Sequence, residues 1–189
     1  NGMTVVEFLI QTTQINPSNH NTILYSLVLL KNIFNKYQEI FLEDQSFDQQ
    51  IQSFLLSLID NPSNSEKIQL NVASLVVAAA DLYLKGQRWP SFQSDIMQRC
   101  SSQNIISLSI SLDCLVLSIN NELVDVQLVA PLIDDWYQMI WPLEPNYAHL
   151  LIIRLILILA RNQCECQCFS HFIANFPDYI SELPFQFAN

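Results

Sequence analysis

The sequence predicts an all-α protein, a right-handed α-α superhelix of about four helix pairs. Three observations lead there. Only two glycines occur among 189 residues, and the hairpin turns of antiparallel sheets favour glycine. Apolar residues make up 50% of the chain and recur at steps of three and four, the period of a helix with one buried face. Finally, Asn16-Pro17-Ser18-Asn19 returns as Asn61-Pro62-Ser63-Asn64, 45 residues on.

Asn1-Gly2, ahead of Met3, reads as an expression scar, and no helix pair is evident before Ile23. Residues 21–37 place Ile23, Leu27, Leu30 and Phe34 on one stripe. A second helix is expected over 47–59. The Asn-Pro-Ser-Asn loop stops it, because proline disfavours helix at the preceding residue and Ser or Asn can cap the next helix. Ser65 and Glu66 open a helix to about Leu84. After a break at 86–90, a short helix spans 91–100, another 105–119, and a longer one 123–140, which Pro131 bends or restarts. Trp141-Pro142 and Pro145 mark the next break, 147–162 is the most apolar helix, and 166–176 the last. The two Trp-Pro pairs, Trp89-Pro90 and Trp141-Pro142, read as punctuation: proline starts a helix and the indole packs on the turn. With so little glycine, few left-handed turns are expected.

The helices fall into pairs. Beyond each copy of the repeat, Ile23 matches Ile68, Leu27 matches Val72 and Leu30 matches Leu75. A period of about 40–47 residues with two helices each is the signature of a HEAT or armadillo-like solenoid, with a closed helical bundle as the alternative. Residues 1–189 then form one helical-repeat domain, expected to be part of a longer chain. The first helix of each pair is apolar and sandwiched. The second carries the polar residues expected to face a partner: Asp95, Gln98 and Arg99, then Asp134, Asp135 and Gln138.

Composition excludes several classes. Phosphate-cradling loops need glycines at fixed offsets that this chain lacks. The formal charge is −10, and residues 101–189 carry only Arg154 and Arg161 as cations against nine acidic groups. No direct nucleic-acid binding is expected, since phosphates require clustered Lys and Arg. A basic protein partner suits this surface. The stretch 150–160 is too short to span a membrane and contains Arg154. Five cysteines at irregular spacing point to a reducing compartment, cytoplasm and nucleus. If 164–171 is helical, Cys164, Cys168 and His171 share a face and Cys166 points away. A structural zinc needs four converging ligands, so neither a metal nor another cofactor is expected. Asp134 and Asp135 are neighbours on a helix and point about 100° apart, unsuited to an acid–base dyad. An enzyme is not expected. His149, heading the apolar helix, suits a capping or packing role.

The segment IQLNVASLVVAAADLYLKGQRWPSF, residues 68–92, resembles the N-terminal HEAT repeats of the importin-β (karyopherin) superfamily, in its transportin and importin branch. An alanine-rich first helix ends in Ala80-Asp81-Leu82, and a short break leads to Trp89 and a short second helix. The preceding ILYSLVLLKNIFNKYQEI and IQSFLLSLIDN, and the following NIISLSISLDCLVLSINNELVD, are similar to adjacent repeats. The resemblance covers somewhat over half the chain and stops near Val126. It implies part of a nuclear transport receptor whose inner helices bind the small GTPase Ran in its GTP form, together with protein cargo. Asp95, Gln98 and Arg99 lie in the matched repeat; Asp134, Asp135 and Gln138 rest on periodicity alone. Another HEAT-repeat scaffold, such as a subunit of an RNA-processing complex, is the alternative.

Overall fold

The computed structural model describes residues 2–15, 19–43, 45–144 and 146–182. Among them every regular element is helical and no strand occurs. Two compact units form, Asn1–Leu123 and Val124–Asn189.

The first unit holds α1 (Gly2–Ile15), α2 (His20–Lys36), α3 (Gln38–Glu43), α4 (Asp48–Ile59), α5 (Glu66–Lys85), α6 (Phe92–Arg99) and α7 (Ile105–Asn120). Helices α1 and α3 are additions to the expected order. Helix α5 packs against α2 on one side and α7 on the other, and the short α4 and α6 pack on α5 and α7. The residues matched by the repeat form this stack: Ile23, Leu27, Leu30, Ile68, Val72 and Leu75 are all buried. Residues 67–85 are apolar and long enough to cross a membrane by length and composition, but more than half of that stretch is buried within the protein. The sequence reading singled out 150–160 instead.

The repeated tetrapeptide is used differently in its two copies. Asn19 caps α2 by accepting from the Thr22 backbone at 3.1 Å; Asn16, Pro17 and Ser18 lie outside the described residues. In the second copy Asn61 accepts from Ser63 N at 3.0 Å, a local turn. Buried Asn64 donates to the Leu58 carbonyl at 2.7 Å, closing the loop back on α4. Ser65 occupies the N-cap position of α5 without a side-chain cap bond, so the expected Ser cap is replaced by this loop closure.

The expectation of few left-handed turns is corrected. Gln87, Glu122 and Gln163 all have φ between 55° and 59°. Each lies just past the end of a long helix, α5, α7 or α10 (Tyr147–Arg161). The next residue donates back five positions in every case: Arg88 to Tyr83, Leu123 to Ser118 and Cys164 to Leu159, at 2.8–2.9 Å. This is the Schellman ending, which uses a left-handed residue to satisfy the last carbonyls of a helix. Glycine is the usual occupant; here Gln, Glu and Gln hold the position. Gly86 has a right-handed φ of −90° instead. A Cβ there would stand 3.1 Å from Arg88 Cδ, so Gly86 leaves room for the arginine that folds over it.

That arginine ties the first unit together. Arg88 forms a bidentate ion pair with Asp48 on α4 and donates to the Phe41 carbonyl of α3. Its guanidinium also lies 5.2 Å from the Tyr83 ring centre. Around it runs an aromatic chain, Phe41–Phe34–Tyr83–Trp89–Phe92, with successive centroids 4.5, 6.4, 6.4 and 5.1 Å apart. Trp89 is 1% exposed.

The second unit holds α8 (Val126–Val129), a 3₁₀ turn over Ala130–Leu132, α9 (Ile133–Ile140), α10, and α11 (Cys168–Glu182). Pro131 sits inside the 3₁₀ turn and divides the long helix expected over 123–140 into α8 and α9. Helix α9 packs against both α10 and α11. Asn146 and His149 form a reciprocal capping box at the start of α10: Asn146 accepts from Ala148 N at 2.9 Å, and Asn146 N donates to His149 Nδ1 at 3.3 Å. The capping role read for His149 is thus met. Pro142 does not start a helix, because α10 begins only at Tyr147.

Candidate functional site

Helix α11 begins at Cys168, so residues 164–167 are not helical and the expected common face of Cys164, Cys168 and His171 does not form. The start of α11 is built by a distant residue instead. Asp134 on α9 accepts from Cys168 N at 2.7 Å through Oδ1 and from Gln167 N at 3.0 Å through Oδ2. It satisfies two of the N–H groups that a helix start leaves open. Burial works to raise the Asp134 carboxyl, but these backbone hydrogen bonds outweigh it and hold the group below its usual range.

One turn further along each helix, Tyr137 on α9 meets His171 on α11; the hydroxyl and Nδ1 share a hydrogen bond of 2.6 Å. Trp141, four residues after Tyr137, stacks on it at 4.8 Å and meets the His171 ring edge-on at 6.0 Å. Burial, then the Cys168 sulfur, pushes the Tyr137 hydroxyl up to about 12, so it stays neutral at physiological pH. These rings, with Gln138, Pro142 and Gln167, line an open cleft of about 370 Å³ whose remaining wall is Asp134 and Cys168. A second cleft of about 430 Å³ lies beside the 163–166 segment, lined by Cys164, Cys166 and Phe169 among others.

The cleft combines apolar π faces with carboxylate nearby, an environment for a cationic or aromatic side chain. The same region holds the group of metal-ligating atoms found among the described residues: the Asp134 carboxylate, Cys166 Sγ and Cys168 Sγ, all within 4.8 Å of one another.

The residues expected to meet a partner divide into two sets. Asp95 accepts from Trp89 Nε1 at 3.1 Å and from Ser91 Oγ at 2.8 Å. Arg99 forms a fork with Asp60 at 2.9 and 3.0 Å. Both hold the fold, and so does Asp134. Gln98, Asp135 and Gln138 are exposed, and Gln138 borders the cleft. Sequence reasoning missed Tyr137, read Trp141 as punctuation, and weighed His171 only beside Cys164 and Cys168. The available signal was the step of four between Tyr137 and Trp141, which places both rings on one helix face.

Comparison with protein-family models, with curated proteins and with solved structures finds no match. The site is therefore read from its own chemistry.

Proposed function

We propose that this chain is a protein-binding helical-repeat module, its helix pairs arranged as a right-handed HEAT-like superhelix. The observation that carries the reading is the stack in the first unit: α5 lies between α2 and α7 with matched apolar registers. The shared left-handed endings of α5, α7 and α10 add to it, because a repeated unit repeats its helix ends. On α1 and α2, Phe8 at 65% and Tyr25 at 70% are exposed large apolar side chains of the kind that a stacked neighbour covers.

Within this reading the cleft between α9 and α11 is the contact surface, and its occupant is a basic segment of a protein. Aromatic faces attract a cation, and the net charge of −10 steers basic partners toward the chain. The wider role is that of a transport-receptor segment of the importin-β kind, working in cytoplasm and nucleus on Ran-GTP and basic cargo, without catalysis. Two measurements test it. GTP-loaded Ran should be retained by the immobilised chain, and GDP-loaded Ran should not. A lysine- and arginine-rich peptide should change the tryptophan fluorescence, and Gln138→Arg should weaken that binding at least tenfold. Equal binding of basic and acidic peptides would defeat the cleft assignment, and small-angle scattering of a compact sphere would defeat the superhelix.

A further inference from the structure

We propose that Asp134, Cys166 and Cys168 form a binding site for a thiophilic divalent cation, with Zn²⁺ as its natural chemistry. The inference stands apart from the protein-binding reading. It rests on three side chains from three places in the fold. Cys166 belongs to the non-helical segment, Cys168 opens α11, and Asp134 reaches them from α9, 32 residues before Cys166 in sequence. Their ligand atoms all lie within 4.8 Å of one another.

The spacing suits the ion. With bonds of about 2.3 Å to sulfur and about 2.0 Å to oxygen, ligand atoms around a tetrahedral zinc stand about 3.5–3.8 Å apart. Closing the observed group to that spacing takes movements of about 1 Å, within the reach of side-chain torsions. Because the segment before α11 is not helical, Cys166 is not directed away from Cys168 as it would be on a continuous helix. Asp134 is already oriented. Each oxygen accepts one backbone hydrogen bond, and the Cys168 thiol bonds the carboxylate as well; loss of that thiol proton on metal binding frees a lone pair for the ion. The same two backbone bonds fix the chain that carries both sulfurs, which is the orienting role that hydrogen bonds around metal sites usually fill. Burial first, and the Asp134 carboxylate beside them, hold both thiols protonated in the metal-free chain, so the ion displaces two protons as it binds.

The balance is simple. Two thiols lose their protons to solvent as the cation binds, giving two thiolates and one carboxylate around a 2+ ion. Three protein ligands leave a fourth position for water or an incoming donor. Cys168 and Asp134 line the aromatic cleft and Cys166 the neighbouring one, so the ion has a path of entry.

Cobalt(II) is the probe. The full chain, reduced until an aliquot in denaturant shows all five cysteines reacting with a thiol reagent, is titrated with Co²⁺ under anaerobic conditions. One equivalent should produce thiolate-to-cobalt charge-transfer absorption and visible bands of tetrahedral intensity, and Zn²⁺ should displace it. Cys166→Ser and Cys168→Ser should each abolish the charge-transfer band, Cys164→Ser should keep it, and Asp134→Asn should weaken Co²⁺ binding at least tenfold. Circular dichroism of each metal-free variant checks that its helices are intact. Zn²⁺ should also raise the Tm of the wild-type chain and leave that of the Cys166→Ser/Cys168→Ser double variant unmoved. Absence of the band in the fully reduced wild-type chain, or an equal response in the double variant, would overturn the site.

Discussion

The two Trp-Pro breaks occupy similar places in the sequence and have opposite fates. After α5, Trp89 is buried in the aromatic chain of the first unit, and its Nε1 donates to Asp95. After α9, Trp141 is half-buried, stacks on Tyr137 and lines an open cleft. The neighbours explain the difference. In the first unit Tyr83 and Phe92 flank Trp89, Phe34 extends the chain beyond Tyr83, and Arg88 seals its edge against Asp48. In the second unit the rings beside Trp141 are Tyr137, His149 and His171, polar groups that bond to each other or to backbone and leave one face open. One dipeptide thus serves as core in one place and as surface in the other.

The largest effect should separate the two tryptophans. Trp89→Ala should cost about 3–5 kcal/mol of stability, as for a buried aromatic residue, whereas Trp141→Ala should cost about 1 kcal/mol and act mainly on peptide binding. Urea denaturation of both variants checks this; equal losses would break the comparison. Next comes the seal. Arg88→Ala removes the partner of a largely buried Asp48 and should cost about 3 kcal/mol, while Arg99→Ala, whose partner Asp60 is exposed, should cost about 1 kcal/mol or less. Thermal unfolding of the pair would rank them.

Acid should act on the second unit. Burial holds His149 below its ordinary 6.5, against the pull of its backbone hydrogen bonds. The unfolded chain therefore takes up that proton first, and stability falls as pH drops below about 6.5. Asp134, held below 3.8, contributes stability above that value and loses it as pH falls further. Hydrogen exchange of the α10 and α11 amides at pH 7, 5 and 3 should show protection falling in that order, and His149→Gln should remove the first step. The smallest effect concerns the helix ends. A left-handed residue that is not glycine costs about 1–2 kcal/mol, so Gln87→Gly, Glu122→Gly and Gln163→Gly should each stabilise the chain by up to about 1 kcal/mol. An unequal response would show that the three endings are not equivalent.

Most helices were legible in the sequence. The stripe of Ile23, Leu27, Leu30 and Phe34 and the register match with Ile68, Val72 and Leu75 are buried as expected. The misses have physical causes. Helix α1 escaped because residues 2–15 carry no local start signal, with neither an acidic first turn nor a basic last turn. The left-handed endings escaped because Gln and Glu carry no glycine signature. The cleft was half legible: Gln138 and Asp135 were read as polar positions facing a partner, but Trp141 was assigned to packing on a turn and Tyr137 was not singled out. Asp95, Arg99 and Asp134, read as partner-facing, each also have a partner within the chain, which a sequence does not reveal.

The sequence alone determined that the chain is helical and where most helices begin and end. Helical hydrogen bonds join residues four apart, and caps such as Asn19, Asn104 and Asn146 act within three. That information lies inside a short window. Tertiary structure decided which tryptophan was buried, which carboxylate started α11, and which cysteines met an acid. Those outcomes depend on contacts such as Arg88 with Asp48, 40 residues apart, and Asp134 with Cys168, 34 apart. Only packing brings such pairs together, and no periodicity in the sequence encodes them.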